Sequence, residues 1–251
     1  MKHLRKYKQL LLSIIILIGF NLSSYSQDFD DTNFLTNIDT TKFLNYIVDT
    51  KSQDLQLYWK DDSGKILNTF KNLISYTKAK QKTLEFATNG GMFNKDYSPQ
   101  GLLILQQKTV KSIDTSSGDG NFYLKPNGIF YIKTSNEAVI CNSSNFKDDP
   151  NIKFATQSGP MLIIDGQIHA AFKEGSTNLN IRNGVGILPD GRVVFVMSKN
   201  KVNFYDFALY FKKLGCKNAL YLDGVVSRTY LPEQNWIQLD GKFGVLIGVT
   251  K

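Results

Sequence analysis

The chain has few of the residues from which most metal and cofactor sites are built. Its 251 residues include two histidines and two cysteines. There is no histidine pair, no Cys-x-x-Cys and no dense acidic loop, so zinc and calcium have no ligand pattern. Neither a Gly-x-Gly-x-x-Gly after a strand-like run nor a Gly-Lys-Ser/Thr phosphate loop is present, which removes the support for nucleotide binding. No metal and no cofactor are expected. No dense Lys/Arg run with interleaved aromatics occurs, so nucleic acid is not an expected partner. Long apolar runs are missing too. Leu10 to Phe20 is 11 residues, against the ~20 that a helix needs to cross a bilayer.

That short run has a different meaning in its setting. Lys2, Arg5, Lys6 and Lys8 precede it without any acidic residue, and Ser24-Tyr25-Ser26 follows. A basic stretch, a short apolar core and small residues at a cleavage site make an export signal. Residues 1–26 are expected to be removed, leaving an exported protein, periplasmic or secreted, without a membrane span. The whole chain carries 30 Lys and Arg against 22 Asp and Glu. Four of these cations lie in the leader, so the mature chain falls from net +8 to +4. That mild excess suits an anionic substrate without requiring one. Cys141 and Cys216 each adjoin apolar segments. An exported chain can join such a pair, but buried free thiols fit their surroundings better.

Residues 27–41 form a polar arm rich in Asp, Asn and Thr, and residues 42–251 show no linker or repeat. Strand-like runs dominate them: Leu55 to Trp59, Leu84 to Thr88, Leu102 to Leu105, Gly128 to Ile132, Met161 to Ile164 and Val245 to Val249. Val185 to Leu188 and Val193 to Met197 flank Pro189-Asp190-Gly191-Arg192 and predict a hairpin. Two helices are expected. Thr69 to Lys80 has apolar residues at 3–4 spacing. Phe204, Phe207, Ala208, Phe211 and Leu214 mark the second, with Asn203 as its cap and Gly215 as its stop. The expected fold is α+β, a single domain with a mixed strand-rich sheet and a few helices.

Three places combine glycine with polar groups at strand ends. Asn89-Gly90-Gly91 reads either as a hairpin turn or as a loop that approaches a ligand closely. Ser158-Gly159-Pro160 offers a hydroxyl at a turn. Its only histidine partner in the mature chain would be His169, which reads better as a structural residue. In Arg182-Asn183-Gly184, Arg182 brings a fork that matches phosphate, or else pairs at the surface. Asp223-Gly224 ends the apolar strand Ala219 to Leu222. It reads as a catalytic carboxylate or as a plain turn.

Asn89-Gly90-Gly91-Met92-Phe93, Ser158-Gly159-Pro160, Arg182-Asn183-Gly184-Val185-Gly186 and Asn218 to Gly224 occur in an order and spacing that resemble the phosphodiester glycosidase family. The resemblance spans about Thr83 to Val249. It implies a hydrolase that splits the bond between a sugar and a phosphodiester oxygen, on a small-molecule or glycan substrate. It also implies Asp223, Arg182 and Asn89 as the catalytic set, with Gly90, Gly91, Ser158, Gly159, Asn183, Gly184, Gly224 and Ser227 binding substrate. The chain departs from the family pattern after Asp-Gly. Val225 and Val226 replace glycines, and Arg228 stands where a second serine is expected. A non-catalytic glycan-binding protein on the same fold is the alternative.

Overall fold

The computed structural model describes residues 39–223 and 226–251. The expected leader 1–26, all but the last three residues of the expected arm 27–41, and Gly224 and Val225 lie outside the described residues. In chain order the strands are β1 (Phe43–Val48), β2 (Asp54–Tyr58), β3 (Leu84–Asn89), β4 (Leu103–Leu105), β5 (Lys108–Lys111), β6 (Gly128–Lys133), β7 (Ala138–Asn142), β8 (Ile152–Ser158), β9 (Met161–Ile164), β10 (Gln167–Ile168), β11 (Asn183–Ile187), β12 (Val193–Ser198), β13 (Ala219–Tyr221), β14 (Thr229–Leu231), β15 (Trp236–Ile237) and β16 (Leu246–Thr250). Two α-helices accompany them among the described residues, α1 (Phe70–Ala79) and α2 (Phe204–Lys213).

The strands form three sheets. Their orders are β1-β12-β11-β13-β9-β10, β15-β14-β3-β16-β2 and β5-β4-β8-β6-β7. The strand-rich α+β reading holds, but a single mixed sheet is not what forms. Every ladder between these strands is antiparallel. Several neighbours are joined by tight turns, such as Asp165-Gly166 between β9 and β10. A parallel pair needs a crossover of a dozen residues or more.

One core fills the space between the sheets. Leu44, Phe195 and Leu220 from the first sheet meet Phe86 and Ile247 from the second and Phe130 and Phe154 from the third. Burial of each such large side chain contributes about 1.5–3 kcal/mol. Helix α1 covers the outer face of the second sheet through Phe70 and Leu73. Thr69 starts it by accepting the Asn72 amide at 3.1 Å.

Helix α2 covers the first sheet. Asn203 caps it, accepting from the Asp206 amide at 2.8 Å, while its own side-chain nitrogen donates to Asp206 Oδ2 at 2.9 Å. Gly215 ends it with φ +78. Its Tyr210 ring stacks on Phe43 of β1 at 4.0 Å. Over β11 the helix comes closer still: a Cβ at Gly186 would lie 2.7 Å from Cys216 Sγ and 2.8 Å from Phe211 Cδ1. Only glycine permits that approach. Cys141 and Cys216 are both free, and burial pushes their thiols up to about 11 and about 12.

Candidate functional site

The motifs meet where one end of each sheet converges. β3 ends at Asn89, β8 ends at Ser158, β11 begins at Asn183, and β13 leads through Leu222 to Asp223. Asn183 is the hub. Its Nδ2 lies 3.1 Å from Thr88 Oγ1, 3.0 Å from Asn89 O and 3.1 Å from Asn89 Oδ1. Its Oδ1 accepts from the Asp223 amide at 3.1 Å and from Ser227 Oγ at 3.2 Å. Asn89 spans the same segment. Its Nδ2 donates to Asp223 O at 2.9 Å, and its Oδ1 accepts from the Arg228 amide at 3.0 Å.

Ser158 Oγ donates to Leu222 O at 2.6 Å, and Ser227 Oγ reaches Asp223 O at 3.0 Å. The backbone on both sides of Asp223 is therefore held by four side chains. All four are fully buried, whereas Asp223 is 8% exposed. In a low-dielectric interior an unpaired polar group is costly, so such a satisfied network fixes one geometry. The family resemblance implies Asn89 as a member of the catalytic set and Ser158, Asn183 and Ser227 as substrate-binding residues. Their hydrogen bonds run to Leu222, Asp223 and Arg228, to each other, to Thr88 Oγ1 and to Ile181 O.

Arg182 sits beside this cluster but is turned inward and is 0% exposed. Its Nε donates to Val202 O at 2.9 Å and its Nη2 to Asn178 O at 2.8 Å. Nη1 lies 3.4 Å from Tyr221 Oη. The guanidinium carbon stacks 3.6 Å above the Phe204 ring. A fork committed in this way cannot present two parallel donors to a phosphate. The surface ion pair that the sequence also allowed is not formed either.

The glycines serve packing. The Gly90 amide donates to Val245 O at 2.8 Å, so it is not turned toward an anion. A Cβ at Gly91 would meet Gln157 O at 2.4 Å, one at Gly159 would meet Asn127 Cβ at 2.6 Å, and one at Gly184 would meet Leu220 O at 2.9 Å. Asn89-Gly90 is not a hairpin turn, because β3 continues into a different sheet through β4. Gly224 lies outside the described residues.

His169 is structural, as the sequence reading favoured. Its Nδ1 accepts the Ala171 amide at 3.1 Å, which leaves Nε2 to donate to Lys125 O at 3.0 Å. Burial holds its pKa below the ordinary histidine value.

Two residues near the site escaped the sequence reading. Tyr221 lies inside the Asn218 to Gly224 motif, bonds Arg182 and senses the Asp223 charge. Burial raises its hydroxyl to about 12. The motif was its signal. Phe204, which faces the guanidinium, had none, because helical periodicity marks it only as a core residue. No group of three or more histidine, cysteine or acidic side chains placed to hold a metal ion occurs among the described residues. No helix among them is long and apolar enough to cross a membrane.

Known proteins resemble the chain in sequence and in fold. The chain is 36% identical over 187 residues to the uncharacterized protein YigE of Escherichia coli (strain K12), covering 74% of this chain and 73% of that protein. A hypothetical protein from Synechocystis shares the fold with a TM-score of 0.52 at 13% identity, over 83% of this chain and 59% of that one. The catalytic domain of zebrafish N-acetylglucosamine-1-phosphodiester alpha-N-acetylglucosaminidase, auto-inhibited by its pro-peptide, does so with a TM-score of 0.50 at 14% identity, over 83% and 88%. Residues 82–245, which contain every strand end of the Asp223 cluster, match the phosphodiester glycosidase family model, and the chain belongs to that family.

Proposed function

We propose that this protein hydrolyses the bond between the anomeric carbon of a sugar and a phosphodiester oxygen, with Asp223 as the catalytic carboxylate. The observation that carries the reading is the grip on Asp223: four buried side chains hold the backbone around it, while Asp223 itself retains some exposure. A carboxylate carried on a fixed backbone needs little reorganisation when positive charge develops on the sugar.

The chemistry suits a site with few proton donors. The C–O bond breaks with its electron pair going to the phosphate, and water supplies the hydroxyl to the anomeric carbon and releases its remaining proton to solvent. A phosphomonoester leaves readily, so the strong general acid of ordinary glycosidases is dispensable. Asn89, Asn183, Ser158 and Ser227 act by positioning Asp223. Arg182 contributes a buried positive charge and holds Tyr221. With the export signal at residues 1–26, the substrate is an envelope or extracellular glycan.

The test is a panel of sugar-1-phosphodiesters offered to the wild-type protein and to Asp223→Asn. Turnover by the first and not the second supports the reading. Binding of a glycan without turnover of any member by the wild type would favour the binding-protein alternative, which rests on the Val225-Val226 departure from the family pattern.

A further inference from the structure

Arg182 is buried and its fork is committed, which leaves recognition of the substrate's phosphate to other groups. We propose that Arg228 meets that phosphate and so determines specificity for the charged leaving group; this rests on the phosphodiester reading above. Arg228 directly follows Ser227, whose hydroxyl reaches Asp223 O at 3.0 Å. The Asn89 carboxamide joins the two positions, donating to Asp223 O at 2.9 Å and accepting the Arg228 amide at 3.0 Å. The Arg228 carbonyl accepts from Thr88 Oγ1 at 3.1 Å, and its Nη1 donates to Ser227 O at 2.9 Å. The backbone of Arg228 is thus as firmly placed as that of Asp223.

Its charge is reachable where that of Arg182 is not. The Arg228 side chain is 31% exposed. Nε and Nη2 donate to a single oxygen, Asp240 Oδ2, at 2.9 and 2.6 Å. Asp240 is itself 66% exposed. An ion pair so open to water is worth little. A phosphodiester oxygen pair can therefore replace the carboxylate on the same two donors, which form the fork that suits it. Asp240 acts as a placeholder that keeps the guanidinium extended. The serine expected at this position in the family pattern could supply neither the charge nor the fork.

The test uses Arg228→Ser and Asp240→Asn in the mature protein, with melting temperature as the check on folding. Inorganic phosphate is the binding probe, by calorimetry. Arg228→Ser should weaken phosphate binding about 10- to 100-fold. On a cleaved sugar-1-phosphodiester it should raise KM by the same factor, and leave KM for the neutral nitrophenyl glycoside of that sugar unchanged. Asp240→Asn should tighten phosphate binding about two- to fivefold. Equal phosphate affinity in wild type and Arg228→Ser, including no binding by either, overturns the proposal, as does an equal KM rise on the neutral glycoside. Arg228-dependent phosphate binding in a wild type that cleaves no sugar-1-phosphodiester keeps the phosphate site and removes the glycosidase reading.

Discussion

Asn183 Nδ2 donates to Asn89 Oδ1 across 3.1 Å, although the two residues are 94 positions apart in the chain. Through this contact β11 of the first sheet is tied to β3 of the second, and both amides then reach the backbone of Asp223. Four buried side chains thus hold the backbone on both sides of Asp223.

Asn183→Ala tests that hub. It removes the acceptor of the buried Asp223 amide and one of the contacts of Asn89 Oδ1, which keeps its bond from the Arg228 amide, at about 1–3 kcal/mol for a buried group left unsatisfied. A lower melting temperature together with a lower kcat is expected. An unchanged melting temperature would mean that the network does not hold the backbone around Asp223.

Asp223→Asn is expected to lower kcat about 100-fold or more, by analogy with loss of a preorganised electrostatic group. The melting temperature and the affinity for uncleaved substrate should stay close to wild type. Asp165 is no substitute, since it lies in the turn between β9 and β10, at the end of β9 away from Ser158, with its amide donating to Asn218 Oδ1 at 3.0 Å. A variant that kept wild-type kcat would move the search to Glu174.

Arg182→Lys separates a buried scaffold cation from a phosphate clamp. Lysine keeps the charge but cannot reproduce the bonds to Val202 O and Asn178 O together with the flat stack on Phe204. Stability should fall by about 1.5–3 kcal/mol, read by thermal or denaturant unfolding. KM for a phosphodiester should hold. A raised KM with unchanged stability would restore the clamp.

Gly186→Ala places a methyl against Phe211 and Cys216, which are both buried. Overpacking of this kind costs about 1–3 kcal/mol. The expected result is a lower melting temperature, and an unaltered one would show that α2 can move off β11.

His169 gives a pH dependence of stability whose sign is fixed. Its folded-state pKa lies below the ordinary 6.5 because burial disfavours the charged ring. The unfolded chain therefore binds the proton more readily. The contribution is fully present above pH ~6.5 and is lost as pH falls through the folded-state value. Melting temperatures of wild type and His169→Gln measured down to pH 5 should converge as pH falls. Parallel curves would contradict this.

Local rules made part of this protein legible from its residues. Helix α2 begins after Asn203 and ends before Gly215, as its caps predict, because those hydrogen bonds join residues three apart. The β11–β12 hairpin follows from its four-residue turn for the same reason. The four motifs in order also identified the family, and Asn89 and Asp223 do meet, through a hydrogen bond between residues 134 apart.

What local pattern could not decide was direction. Whether the Arg182 fork points out to a phosphate or in to Val202 and Asn178 depends on where Phe204 and the segment before Arg182 pack. Whether Gly91 faces a ligand or the backbone of β8 depends on the docking of two separate sheets. Both outcomes are set by long-range packing, in which burying the polar groups without partners would cost more than any local preference returns. Tertiary structure alone therefore decided that Asn89, Ser158, Asn183 and Ser227 hold the backbone around Asp223.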